Sequence, residues 1–169
     1  VGLTASDSET ALYALFDRLN VRIEKLEHEP VHTVAESDAI HHAMPGIHTK
    51  NLFLKDEGGA FWLVTAPADV MVDMKSLRHK IGSKRLSFGK PEAMMTLLGI
   101  APGAVTPLAV INDVDRRVTL ALDISLSGER TVNVHPLRNT ATIGISGADL
   151  VRVTAELGHT PRIIAIGEG

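Results

Sequence analysis

Three stretches of this sequence place chemically useful groups where the chain must change direction. The first is Lys50-Asn51, which follows a Gly/His loop and opens a β-prone run. A lysine at a strand mouth can reach a phosphate or a carbonyl while its stem packs on apolar neighbours. The plainer role is an exposed edge lysine that discourages strand-to-strand aggregation. The second stretch is Gly99-Ile-Ala-Pro-Gly-Ala-Val-Thr-Pro107. Gly103 permits close backbone approach, and neighbouring N–H groups in such a turn can converge on an anion. Its plainer role is an ordinary connection. The third is His135-Pro-Leu-Arg-Asn-Thr-Ala-Thr142, which puts an imidazole at a strand end before a polar turn. A lone histidine there is more often structural.

Other constellations fit poorly. His32, His41, His42 and His48 are close in sequence, but adjacent helical residues point about 100° apart, so His41 and His42 do not easily face one ion. A His-Glu-x-x-His helix is missing, and the chain has no cysteine, so no metal is expected. Gly82-Ser-Lys84 resembles the end of a phosphate-binding loop but lacks the earlier glycine and a preceding apolar strand. No serine sits in a Gly-x-Ser-x-Gly elbow. The lack of cysteine also excludes a disulfide framework and fits a reducing compartment.

Charge divides unevenly. Residues 1–57 carry a net −5 and residues 58–169 a net +2. Within the second part, 75–90 holds Lys75, Arg78, Lys80, Lys84, Arg85 and Lys90 with no acid. A mildly acidic protein can still present one basic face to a polyanion, although runs of charge are usually just solvated.

These groups need a frame, and 169 residues with 44% hydrophobic and 22% charged side chains supply one ordinary globular domain spanning 1–169. No apolar run reaches the ~18 residues that span a membrane. The first residues show no basic segment leading into an apolar one, so no secretory signal is expected, and the missing initiator Met suggests trimmed numbering. Ser6-x-x-Glu9 and Thr33-x-x-Glu36 read as capping boxes for helices over 6–19 and up to about 43. The runs 51–55 and 61–65, joined by Asp56-Glu-Gly-Gly59, read as a hairpin. Helices are expected over 73–81, ended by Gly82, and over 91–98, opened by Pro91 and ended by Gly99. Strands are expected over 21–26, 85–88, 108–111, 118–122, 131–134, 140–145 and 162–166, with a last helix capped by Ser146. Helices mixed irregularly among about eight strands argue for an α+β, or mixed α/β, fold.

Together, several segments resemble one family. They are His28-Glu-Pro-Val-His-Thr-Val-Ala-Glu-Ser37, Thr49-Lys-Asn-Leu-Phe-Leu-Lys55, Gly82-Ser-Lys-Arg85 within 77–86, 91–98, Leu98-Gly-Ile-Ala-Pro-Gly-Ala-Val-Thr-Pro107 and Val132-Asn-Val-His-Pro-Leu-Arg-Asn-Thr-Ala-Thr142. In this order they resemble the YbaK/ProX family of aminoacyl-tRNA deacylases, related to the editing domain of bacterial prolyl-tRNA synthetase. Lys-Asn-Leu-Phe-Leu is typical of the freestanding ProX branch, which clears alanine from the tRNA for proline. The resemblance implies a mixed central sheet or partial barrel flanked by helices, acting in trans on an aminoacyl ester in the cytoplasm. It implies Lys50, Asn51, Gly103, Ala104 and His135 as catalytic groups. The loop amides would hold the oxyanion, Lys50 the terminal phosphate or ester oxygen, and Asn51 and His135 would position substrate. It further implies His32, Thr33, Gly99, Pro102, Thr106 and Asn139 as substrate-binding residues. Lys75, Arg78, Lys80, Lys84 and Arg85 could contact tRNA phosphates. Mischarged tRNA is the expected partner and prolyl-tRNA synthetase a further candidate; no cofactor is expected. A deacylase of Cys or Ser esters, and a non-catalytic nucleic-acid-binding protein, are the alternatives.

Overall fold

A computed structural model describes residues 5–31 and 34–167. Strand β2, Ile47–Asp56, is the backbone of the architecture because it pairs with three others. It runs antiparallel to β3, Phe61–Pro67, along most of its length. At its start it lies parallel to β6, Thr131–Val134, and at its end antiparallel to the short β4, Leu86–Phe88. With β1 (Ile23–Glu27), β5 (Val118–Asp123), β7 (Ala141–Ser146) and β8 (Arg162–Ile164), the sheet reads β1-β7-β6-β2-β3-β5-β8, and β4 branches from β2. Parallel and antiparallel pairs coexist, which makes this the mixed α/β arrangement expected from the irregular order of helices and strands.

Helices cover both faces of the sheet. On one face, α1 (Ala5–Arg18), α4 (Pro91–Leu98) and α5 (Gly147–Glu156) bury Leu12, Leu98 and Leu150 against Leu63, Leu120 and Ile143. On the other, α3 (Met74–Ile81) inserts Leu77 and Ile81 against Leu54, Val64 and Ala66. Each such side chain contributes about 1.5–3 kcal/mol on leaving water. The remaining helix, α2 (Val34–Ala43), stands beside the start of β2.

The ends of α3 and α4 follow the sequence. Asp73 caps α3 by accepting the Lys75 N–H, and Gly82 closes it at φ 70°. Pro91 opens α4 and Gly99 ends it at φ 66°. Both glycines occupy the left-handed conformation that other residues resist. Two expectations are corrected. Residues 108–111 are not a strand but part of a 3-10 helix, Pro107–Asn112. Pro107 fixes the first φ, the Thr106 hydroxyl caps the Leu108 N–H, and the apolar run is buried between helices instead of in the sheet. Ser6 is not the N-cap of α1, which already includes Ala5. Glu9, its expected partner, instead accepts from Tyr13 and Arg138. The capping residue Thr33 lies outside the described residues.

Candidate active site

The pairing of β2 with β6 lasts only two residue pairs, Ile47↔Val132 and His48↔Asn133. β6 then ends while β2 runs on, and the opening between them is a cavity of about 220 Å³. Ligand crevices form at such places, beyond the carboxyl end of a parallel strand. Thr49 and Asn51 form one wall; Asn133 and His135 form the other. Gly103 and Asn139 close it from the loops, and Ile40 and His41 of α2 cover it.

Asn51 is fully engaged. Its Nδ2 donates to the Val105 carbonyl at 3.1 Å, and its Oδ1 accepts from the Thr65 hydroxyl at 2.6 Å. Thr65 is completely buried on β3. The pair holds the 102–106 segment against the cavity. Sequence reasoning did not select Thr65, because a threonine in a strand is unremarkable until its partner is known.

His135 follows β6, and its Nδ1 donates to the Ala141 carbonyl at 2.8 Å. A carbonyl only accepts, so the neutral ring carries its proton on Nδ1 and leaves Nε2 bare. Burial pulls its pKa below the usual 6.5, and nearby His28 acts the same way against the bond to Ala141. His135 is therefore a neutral acceptor at pH 7. Asn139 lines the cavity, and its amide makes no hydrogen bond among the described residues.

The turn bearing these two groups is clamped. Arg138 donates to both carboxylate oxygens of Glu27 at 2.7 Å and to Glu9 at 2.9 Å. Leu137 beside it is buried with φ 75°, a strained conformation that the clamp overdetermines.

The other expected residues are dispersed. Alternation along β2 turns Lys50 to the opposite face from Asn51. Its ammonium donates to the Val70 carbonyl instead of lining the cavity. Val70 lines a second, open groove of about 540 Å³ that shares His41 and His48 with the cavity, although Lys50 itself is not part of its lining. The two shared imidazoles stack with ring centroids 3.9 Å apart. Burial, and then the neighbouring His41, lower the His48 pKa.

Of the 99–107 segment, only Gly103 lines the cavity. The Ala104 N–H, expected among the oxyanion donors, donates to Ala101 O at 3.0 Å within a 3-10 turn, Pro102–Ala104. Gly99 ends α4, Pro102 is exposed, and Thr106 is a fully buried cap. His32 and Thr33 lie outside the described residues. Among those described, no three His, Asp or Glu side chains gather as metal ligands would.

The basic residues are also sorted. Lys80 donates to Ala165 O at 2.6 Å and Ile166 O at 3.3 Å, tying α3 to the strand β8 end. The Lys84 amide donates to Asp56 at 3.3 Å. Lys75, Arg78 and Arg85 pair with no carboxylate among the described residues. α3 covers the face of β2 from which Lys50 also projects. No helix of the described residues is long and apolar enough to cross a membrane.

Comparison with known proteins places the chain in a family and a fold. Residues 28–153 match the model of the aminoacyl-tRNA editing domain. The chain is 36% identical over 161 residues to the prolyl-tRNA editing protein ProX of Acetoanaerobium sticklandii, covering 95% of this chain and 98% of that protein. It is 35% identical to prolyl-tRNA synthetase associated domain-containing protein 1 of Danio rerio, covering 94% of this chain and 88% of the other. The crystal structure of a candidate trans-editing enzyme for prolyl tRNA synthetase superposes with a TM-score of 0.71 at 19% identity. It covers 96% of this chain and 98% of the other, and shows a shared fold.

Proposed function

Because the chain belongs to the aminoacyl-tRNA editing domain family, we propose that it hydrolyses the ester of a mischarged tRNA in trans, with Ala-tRNA(Pro) as its substrate. The observation that carries this reading is the cavity itself. A space of about 220 Å³ lined by Val31, Ile40 and Val134 beside the amides and hydroxyls of Asn51, Asn139 and Thr142 suits one small aminoacyl group better than a nucleotide. Its opening adjoins the larger groove through His41 and His48, leaving room outside for the terminal nucleotide. The name of the Acetoanaerobium relative, a prolyl-tRNA editing protein, favours the tRNA for proline.

In this reading the ester carbonyl enters the cavity beside Gly103, held in place through Asn51 and Val105. Water adds to the carbonyl carbon, the bond to the ribose oxygen breaks, and that oxygen leaves with a proton. The Gly103 N–H is the loop donor for the transient oxyanion, since the Ala104 amide is committed. Among the described residues no carboxylate lines the cavity to serve as base, so the free ribose hydroxyl of the substrate orients the water. Lys50, bonded to Val70 at the groove's wall, meets the terminal phosphate by exchanging the Val70 carbonyl for it. Lys75, Arg78 and Arg85 contact phosphates further along. Such work belongs in the cytoplasm, alongside charged tRNA.

The test is a panel of tRNA(Pro) species carrying Ala, Ser, Cys and Pro. Alanyl ester should be cleared fastest and prolyl ester spared, the behaviour of a second sieve. Fastest clearance of Cys would move the substrate; no clearance of any ester would remove the reading.

A further inference from the structure

Three side chains stand in a row across strand ends at the cavity. The β6–β7 register, ending at Val134↔Ile143, continues to put His135 beside Thr142. Leu26↔Thr142 places the end of β1, and His28 after it, on the other side. The two imidazoles lie 6.4 Å apart, with the Thr142 hydroxyl bonded to one of them.

The hydrogen-bond polarity of this row is determined. His28 Nδ1 lies 2.8 Å from the Glu29 carbonyl, as His135 Nδ1 does from the Ala141 carbonyl. In its neutral form each ring therefore carries its proton on Nδ1 and presents a bare Nε2. His28 Nε2 is 2.9 Å from Thr142 Oγ1, so the hydroxyl donates to it. With its proton spent there, Thr142 Oγ1 has only lone pairs for a ligand. His135 Nε2 is likewise an acceptor, and among the described residues no Asp or Glu lines the cavity.

We infer that Thr142 Oγ1 and His135 Nε2 together bind the α-amino group of the aminoacyl ester, with His28 as a positioning residue that keeps Thr142 accepting. This rests on the ester-hydrolase reading above. An α-amino group carries at least two N–H donors in either protonation state, which matches two acceptors lining one cavity. An α-hydroxyl carries one donor and satisfies only one of them. Leaving a buried acceptor unpaired is costly, so this pair discriminates between the two substituents.

The test compares Ala-tRNA(Pro) with lactoyl-tRNA(Pro), prepared from it by nitrous acid, which replaces the amino group by hydroxyl on the same ester. The wild-type protein should prefer the alanyl ester by about 10- to 100-fold in kcat/KM. Thr142→Val keeps the shape and removes the hydroxyl. It should lose far more of the alanyl than of the lactoyl activity, so the preference collapses. Thr142→Ser should restore the preference, and His28→Leu should weaken it without touching Thr142. If Thr142→Val does not fold, the His28→Leu ratio decides alone. Equal losses on both esters in a folded variant, or an intact preference in His28→Leu, would overturn the amino-group site while leaving the hydrolase reading standing. Wild-type protein inert toward both esters would overturn both.

Discussion

Arg138 grips Glu27 with two parallel hydrogen bonds of 2.7 Å and reaches Glu9 with its Nε at 2.9 Å. One side chain thus joins α1, the end of β1 and the turn that carries His135 and Asn139. The hydrogen bond from Arg138 is the main cause that draws the Glu27 carboxyl from 4.5 down to about 2. A carboxyl whose folded pKa is depressed adds stability that is complete above its unfolded value and is lost as pH falls through the folded one. The window here runs from about pH 4.5 down to about pH 2. Glu27→Gln should therefore melt below the wild type at pH 7, and the gap should close on approaching pH 2. Thermal melts at several pH values check this; a gap that stays constant into strong acid would mean that Arg138 does not draw on the Glu27 charge.

Lys50 and Asn51 should fail in different ways, because they point to opposite faces of β2. Lys50→Ala removes an ammonium bonded to one exposed-loop carbonyl, so stability should change by less than about 1 kcal/mol. Its kcat/KM should nevertheless fall by about 10²-fold through loss of the phosphate contact. Asn51→Ala leaves the Thr65 hydroxyl buried without its acceptor and releases Val105, which should cost about 1–3 kcal/mol as well as activity. Melting curves and turnover on both variants separate the two. Wild-type turnover in folded Lys50→Ala protein would reduce Lys50 to an edge residue.

The legible parts of the molecule were those governed by local rules. Asp73, Gly82, Pro91 and Gly99 mark helix ends because capping and left-handed φ act within a few residues. The 107–112 segment misled because its apolar content suits a buried strand equally well, and only its position between helices decides. In the site, Asn51, Gly103, Asn139 and His135 were selected and do meet. Lys50 and Asn51 looked like one unit because adjacency in sequence hides the alternation of a strand. Thr65, Thr142 and His28 escaped notice because each acquires meaning from a partner 14 or 114 positions away. Gly99, Pro102 and Thr106 belong to the same loop as Gly103 but do not line the cavity.

Gly103 is neither left-handed nor crowded by backbone. A Cβ there would approach only the Asn139 amide nitrogen, at 3.3 Å, and that amide has no bond to hold it. Gly103→Ala should accordingly fold with stability within about 0.5 kcal/mol of wild type. The methyl group would nonetheless stand at the wall of a cavity of about 220 Å³ and push Asn139 aside. Turnover should fall about tenfold, and Gly103→Val should fall by about 10²–10³, the range for losing one oxyanion donor. The loss belongs in kcat, with tRNA affinity nearly unchanged. Single-turnover kinetics and filter binding read the two quantities; weakened binding with normal kcat would make this loop a docking surface.

The basic face offers the last prediction, and the structure determines which residues to change. Lys80 is occupied by the carbonyls of Ala165 and Ile166, so replacing it would disturb the packing of α3 as well as the charge. Lys75, Arg78 and Arg85 have no carboxylate partner among the described residues, so their replacement by Gln removes charge while leaving the described ion pairs intact. Each phosphate contact releases condensed counterions, and removing it lowers the slope of log K against log salt by about 0.7–0.9. The triple variant should raise KM for the charged tRNA at low salt and flatten its salt dependence by about two units. Its kcat should stay near wild type, because none of the three lines the cavity. A titration of KM between about 50 and 200 mM salt measures the slope. An unchanged slope would place the tRNA elsewhere, with the exposed Arg116 and Arg117 as the next pair to replace.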